Sequence, residues 1–379
     1  MFARLKQFAR RTIIHRLKTR ARENWYPILL PDYRIVDGGL SNCFGPPDPL
    51  PPELLAGLAL CDGRRKLRDV ASSSGVSCAR LAAQEDAGTL VLWPPEPRRR
   101  TAIPPANLPT ELSGFLPDEI IILSPHLDDA ALSLGGLMLQ QKAFRAKCTV
   151  VDIFSRVSWW RFDLSEDALP RIQATRDTEE GWVMRLAGAE LIRWGLAEAP
   201  LRGYPLAEIF TTDRKLEAAA THEFIRSAVC KLARERHATN WYLPLAIGNH
   251  IDHRIARDAA LDGLREAQTP LEKLHFYEDL PYAAQQAGVE DYSSFLAGVL
   301  PGCRLGESAV RVDQGKLRLL RAYGSQLTPS QIDLVFEYSR RVYRVLRGER
   351  TWHIEADAAE RAKGQIPPSA PSSMSAAHG

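Results

Sequence analysis

Several absences narrow the class of this 379-residue chain before any motif is read. No run of about 18 uncharged apolar residues occurs, so a transmembrane helix is not expected. The basic start has no uninterrupted apolar stretch behind it, so a secretory leader is not expected either. The six cysteines (Cys43, Cys61, Cys78, Cys148, Cys230, Cys303) lie far apart, with no CxxC pair and no dense framework. That spacing reads as reduced thiols in a cytoplasmic protein. A surplus of one charge is also missing: the formal net charge of +3 is too small to argue for a nucleic-acid partner. What is present is an ordinary globular mixture, 45% hydrophobic and 25% charged, enough for one large domain and a smaller one.

The local distribution says more than the totals. Residues 1–22 carry eight Lys/Arg and no Asp or Glu, with Phe2, Leu5, Phe8, Ile13 and Leu17 at roughly helical spacing. Two readings stand for this basic arm, extended here to residue 45: peripheral contact with an anionic membrane, or packing on its own protein. The run Pro46-Pro47-Asp48-Pro49-Leu50-Pro51-Pro52 breaks the chain. Over 46–97 the pattern predicts helices at Glu53–Cys61, Leu67–Ser73 and Ser77–Ala87, then a strand at Thr89–Trp93. That small α+β module is winged-helix-like. Residues 98–110, with Arg98-Arg99-Arg100 and prolines around them, read as a linker. From 111 to 355, apolar β-rich runs (Ile120–Leu123, Thr149–Phe154, Trp241–Leu245, Lys273–Tyr277) alternate with helical patterns (Ala130–Lys142, Leu169–Leu186, Lys215–Arg236, Ile255–Ala267). Such alternation predicts an α/β fold, a three-layer Rossmann-like arrangement around a mostly parallel sheet. Residues 356–379, rich in Ala, Ser and Pro, read as a disordered tail.

Two polar clusters follow predicted strands directly. In Ile120–Gly136 (IIILSPHLDDAALSLGG) the strand ends and His126, Asp128 and Asp129 come at once. In open α/β sheets, ligands bind outside the carboxyl ends of the strands. His126 and Asp129, three apart, can converge on one metal, while Asp128 points elsewhere and leaves a carboxylate beside it. Gly248–His253 (GNHIDH) repeats the three-residue spacing with His250 and His253. Two imidazoles and one carboxylate make a sound catalytic zinc set, because a fourth position stays open.

These clusters resemble the LmbE/PIG-L de-N-acetylases, whose motifs read roughly (A/S)HPDD(E/A) and HxDH. The likeness extends over about 118–350, through Arg176 and Glu179 (RxxE), FYEDLPY at Phe276–Tyr282 and KLRLLRAYGSQ at Lys316–Gln326. It implies zinc on His126, Asp129 and His253, with Asp128 as general base. It further implies that His250 stabilises the oxyanion and that Asp252 holds the His250 ring. Leu127 and Ala130 replace the family's usual proline and glutamate, which bears on rate and substrate more than on metal binding. The front run LLAGLALCDGRRKLRDVA…EDAGTLVLW is similar to PqqD-type peptide-recognition domains. That likeness suggests a peptide or carrier partner at residues 53–93.

Substrate contacts are expected from Trp159 and Trp160, whose rings suit a sugar face, and from Arg176 and Arg202, which suit a phosphate or carboxylate. The expected reaction is zinc-dependent removal of an N-acyl group, N-acetyl above all, from an amino-sugar-containing substrate. The alternative is a peptide- or carrier-linked amide. Two histidines and a carboxylate also describe a non-haem Fe2+ oxygenase site, but that site belongs to all-β barrels.

Overall fold

The structure, a computed structural model, describes residues 22–30, 33–36, 38–42, 47–95, 117–159, 168–211, 219–237, 239–285, 300, 305–342 and 348–354. The expected arm helix over residues 1–21, the linker, the tail and Trp160 lie outside the described residues. The chain divides into two compact units, one chiefly of residues up to Pro104 and one chiefly of residues beyond it. Among the described residues, no helix is long and apolar enough to cross a membrane.

The smaller unit runs β1 (Tyr26–Leu29), β2 (Tyr33–Val36), β3 (Gly39–Asn42), β4 (Asp48–Pro49), α1 (Pro52–Ala59), α2 (Leu67–Ser74), α3 (Cys78–Asp86) and β5 (Leu90–Trp93). Pro52 opens α1, where a missing N–H costs nothing. Ser77 caps α3 by accepting the Arg80 N–H. Leu54, Leu58, Leu67, Val70, Leu81, Leu90 and Leu92 form the core. Two expectations need correction. The basic arm does not extend to residue 45, because β1 pairs antiparallel with β5, Tyr26 opposite Trp93, and β2–β3–β4 form a second sheet. A winged helix is not confirmed, since the partner of β5 precedes the helices and, among the described residues, no wing hairpin follows α3.

The larger unit continues with β6 (Glu119–Ser124), α4 (Asp129–Phe144), β7 (Lys147–Asp152), α5 (Leu169–Ala187), β8 (Glu190–Arg193), α6 (Ala219–Glu235), β9 (Asn240–Pro244) and α7 (Ile251–Glu266). Then come β10 (Leu274–Tyr277), α8 (Tyr282–Gln285), β11 (Leu305–Arg311), α9 (Gln314–Arg321), α10 (Pro329–Val342) and β12 (Gly348–Ile354). Seven strands make one sheet in the order β11-β12-β10-β9-β6-β7-β8. The central five are parallel, and β12 and β11 add antiparallel at one edge. Ile120, Ile121, Ile122 and Leu123 are fully buried, as a strand covered on both faces must be.

The topology fixes where a ligand can sit. From β6 the chain steps outward through β7 to β8, then returns to the other side of β6 for β9 and β10. The strand order therefore reverses between β6 and β9, and the loops leaving their carboxyl ends flank the crevice where such sheets bind ligands. Both polar clusters lie on those two loops.

One departure from regularity bears on the site. Helix α4 breaks at Leu134 (φ −127°, ψ 19°). The Glu349 carboxylate from β12 accepts the N–H groups of Gly136 (2.7 Å) and Leu137 (2.9 Å) and pairs with buried Lys316 at 2.7 Å. A side chain at residue 136 would meet that carboxylate at 3.0 Å and the Arg311 carbonyl at 3.1 Å, so glycine leaves room for the contact.

Candidate metal centre

The turn after β6 is held by its own polar atoms. Ser124 Oγ donates to the His126 carbonyl (2.7 Å) and accepts the Ala130 N–H (3.1 Å). The His126 N–H donates to Asp129 Oδ2 at 2.9 Å. Between them Asp128 adopts φ 134°, a conformation that L residues other than glycine rarely take. Such strain gathers at functional sites because the surroundings must enforce it.

The turn after β9 passes through left-handed conformations at Ala246, Gly248 and Asn249. At Gly248 a Cβ would come within 3.0 Å of Tyr282, so the loop also needs that glycine for space. The expected helix start at Ile255 is corrected to Ile251. The His250 ring caps the helix, Nδ1 accepting the Asp252 N–H at 3.1 Å, which brings Asp252 and His253 into its first turn.

The two turns meet. The ligating nitrogens of His126, His250 and His253 lie within 4.8 Å of one another. Asp129 Oδ2 stands 3.2 Å from His126 Nδ1 and 3.3 Å from His253 Nε2. The opposite nitrogens are occupied: His126 Nε2 meets Asp252 Oδ2 at 2.9 Å, and His253 Nδ1 meets Asp279 Oδ1 at 2.6 Å. A ring nitrogen that donates to a carboxylate leaves its other nitrogen as a lone pair. Two lone pairs therefore face one carboxylate oxygen, and the buried His253 Nε2 has no hydrogen-bond partner. That arrangement is repulsive until a cation, or a proton, lies between the three atoms. His250 differs, since its Nδ1 accepts and its Nε2 therefore carries a proton to donate.

Electrostatics follow this layout. Burial would depress His126, but hydrogen bonds to Asp129 and Asp252 outweigh it and hold the ring well above the usual histidine range. Burial likewise opposes ionisation of Asp129, yet the flanking His253 and His126 bring it down to about 2. Asp128 is pushed well up, by burial first and then by the neighbouring Asp129. His250 is driven well below its ordinary value by burial and by the other two imidazoles, which keeps it neutral.

Three expectations are corrected here. Asp252 does not hold the His250 ring with its carboxylate. That carboxylate takes His126, the Ala199 N–H (2.9 Å) and Arg202 (2.7 Å), and only its backbone N–H serves His250. Arg176 is not offered to a substrate: it is 2% exposed and donates to the Leu127 and Trp159 carbonyls at 3.0 and 3.3 Å. Arg202 turns inward onto Asp252 and the Ala197 carbonyl. Trp159 is 48% exposed, and the Arg176 bridge sets its backbone beside the His126–Asp129 turn.

Asp279, in the FYEDLPY run, follows strand β10 as His126 follows β6, and the rule that places ligands outside strand carboxyl ends points to it too. Beyond His253 it also accepts the Ile247 N–H at 2.9 Å. Tyr282, the last residue of the same run, and Phe210 join the cluster as well. Phe210 meets the His250 ring edge-to-face at 5.3 Å and Tyr282 at 5.7 Å, contacts that no local pattern announces.

The chain matches no protein-family model. It is 32% identical over 234 residues to 2'-N-acetylparomamine deacetylase of Streptomyces fradiae, a match spanning 58% of this chain and 78% of that protein. Among solved structures it is similar to a deacetylase of the teicoplanin biosynthesis pathway, with a TM-score of 0.50, 23% identity, and 63% of this chain and 99% of that one covered. That likeness shows a shared fold. The A40926 pseudoaglycone deacetylase aligns at 27% identity with a TM-score of 0.47, over 63% of this chain and 97% of its own.

Proposed function

Because the chain belongs to the LmbE/PIG-L-type deacetylases, the family of 2'-N-acetylparomamine deacetylase, we propose that it is a metal-dependent N-deacetylase acting on an amino-sugar-containing substrate. The observation that carries this reading is the convergence of His126 Nδ1, His253 Nε2 and Asp129 Oδ2, two ring nitrogens and a carboxylate oxygen that one cation would bridge. Two imidazoles and a carboxylate suit zinc, and Fe2+ fits the same donors. His126, Asp129 and His253 hold the metal. When bound, zinc polarises the amide carbonyl and makes water acidic enough to attack at neutral pH.

The remaining steps belong to the chain's own side chains. Asp128 lies beside the ligands without joining them, and its raised basicity suits a general base that takes the proton of the attacking water. The same carboxyl then gives that proton to the departing amine. His250, neutral with Nε2–H free to donate, stabilises the developing oxyanion. Asp252 and Asp279 fix the His126 and His253 rings and their tautomers, Asp252 in turn held by Arg202. Arg176 ties the metal turn to the Trp159 loop, whose exposed indole is offered to the sugar. The parallel α/β sheet is foreign to the oxygenase alternative, which also leaves Asp128 without a task.

The test is release of acetate and a free amine from N-acetylglucosamine-containing glycosides by the zinc-loaded full chain. A protein holding about one metal per chain that releases amine from no N-acetyl amino sugar would refute the reading.

A further inference from the structure

Between β8 and α6, residues 199–209 form an arch anchored at both ends beside the metal centre. It leaves the cluster at Ala199, whose N–H donates to Asp252 Oδ2 at 2.9 Å, and returns at Ile209, whose carbonyl accepts the Ile251 N–H at 2.8 Å. Both footings lie in the first turn of α7, beside His250 and His253, so residues 200–208 begin and end next to the cluster. Arg202 and buried Ile209 point inward. What the arch shows outward is mainly apolar: Leu201 is 38% exposed, Leu206 54% and Phe210 39%, and Tyr204 is half-buried between them. Glu208 is its one acidic side chain. Three large apolar side chains left in water within ten residues, on a segment fixed at both ends, are a contact surface rather than a disordered tip. Phe210, at the inner end, already touches the His250 ring.

We propose that this arch selects substrates whose N-acetyl amino sugar carries an apolar aglycone: Phe210 packs against the sugar, and Leu201 and Leu206 cover the group attached to it. The proposal rests on the deacetylase reading for the identity of the sugar. An apolar group on the glycosidic oxygen gains affinity by leaving water at the arch, whereas a methyl group is too small to reach it.

The test compares methyl and phenyl N-acetyl-β-glucosaminide on the zinc-loaded full chain and on a Leu201→Ser/Leu206→Ser variant. Both substitutions are at exposed positions, so folding is preserved. Dissociation constants are measured by calorimetry in an Asp128→Asn background, and acetate release in the otherwise native protein. The phenyl glycoside is expected to bind about tenfold tighter than the methyl one, about 1.4 kcal/mol. In the variant that ratio falls to about twofold or less. Equal binding of the two glycosides by the native arch, an undiminished ratio in the variant, or no binding of either overturns the proposal. A phenyl preference without acetate release would instead sink the deacetylase reading and leave the arch standing.

Discussion

The His126–Asp129 turn and the His250–His253 turn share a spacing, a position after a buried parallel strand and a place at one metal centre, yet they are built differently. The first stitches itself, with Ser124 and Asp129 bonding its own backbone, and it stores strain at Asp128. The second is a helix start capped by one of its own imidazoles, reached through three left-handed residues. Each turn's carboxylate serves the other turn's histidine: Asp252 grips His126, and Asp129 faces His253. The difference teaches that equal spacing does not mean equal duty. In the proposed mechanism, one turn brings the charge and the base, and the other brings the neutral donor and the cross-brace.

The harshest way to break this division is at the strained aspartate. Asp128→Asn is expected to keep fold and metal but lower kcat about 10²–10⁴-fold, since an amide accepts no proton from water. Unchanged kcat in metal-loaded protein would end its role as base. Next, elemental analysis should separate two residues that both touch the cluster. Asp129→Ala loses its metal, while His250→Ala retains it and loses about 10²–10³-fold in kcat. If His250→Ala empties the site, the three histidines are the ligands and the division between turns is wrong.

The cross-brace is sharpened by Asp252→Asn and Asp279→Asn, each expected to weaken metal affinity about 10–100-fold in a chelator competition. An Asp252→Asn protein with native metal affinity and altered kcat alone would return that carboxylate to His250. The smallest effect is on acid stability of the metal-free protein. Asp129 is brought down to about 2 from an ordinary 3.8, so its contribution is complete above about pH 4 and is lost as pH falls toward 2. His126 has the opposite sign: its contribution is complete below about 6.5 and is lost as pH rises through its raised value. Urea midpoints across pH should show both edges in the native chain and neither in an Asp129→Asn/His126→Gln variant.

The central strands were legible because burial on both faces leaves unbroken apolar runs such as Ile120–Leu123. The clusters were legible because the polar residues begin where those runs stop. The edge strands were not: Glu190–Arg193 is short, and Gly348–Ile354 mixes Glu349, Arg350 and His353 with apolar positions. The apolar period places the start of α7 late, at Ile255, because His250 and Asp252 interrupt it while doing the capping. The partners of Asp252 and Asp279 could not be read at all, since carboxylates choose histidines across 126 and 26 residues of chain.

The broken helix α4 ties the metal turn to the order in which the chain is made. Asp129 opens that helix, but the acceptor that stabilises its break, Glu349, follows Gly136 by 213 residues. A ribosome that has delivered all four carboxylates and three histidines of the centre has still not delivered the group that sets the helix in place. Domains settle as units while synthesis proceeds from the amino end, so the contact that sets α4 behind Asp129 forms only after β12 has emerged.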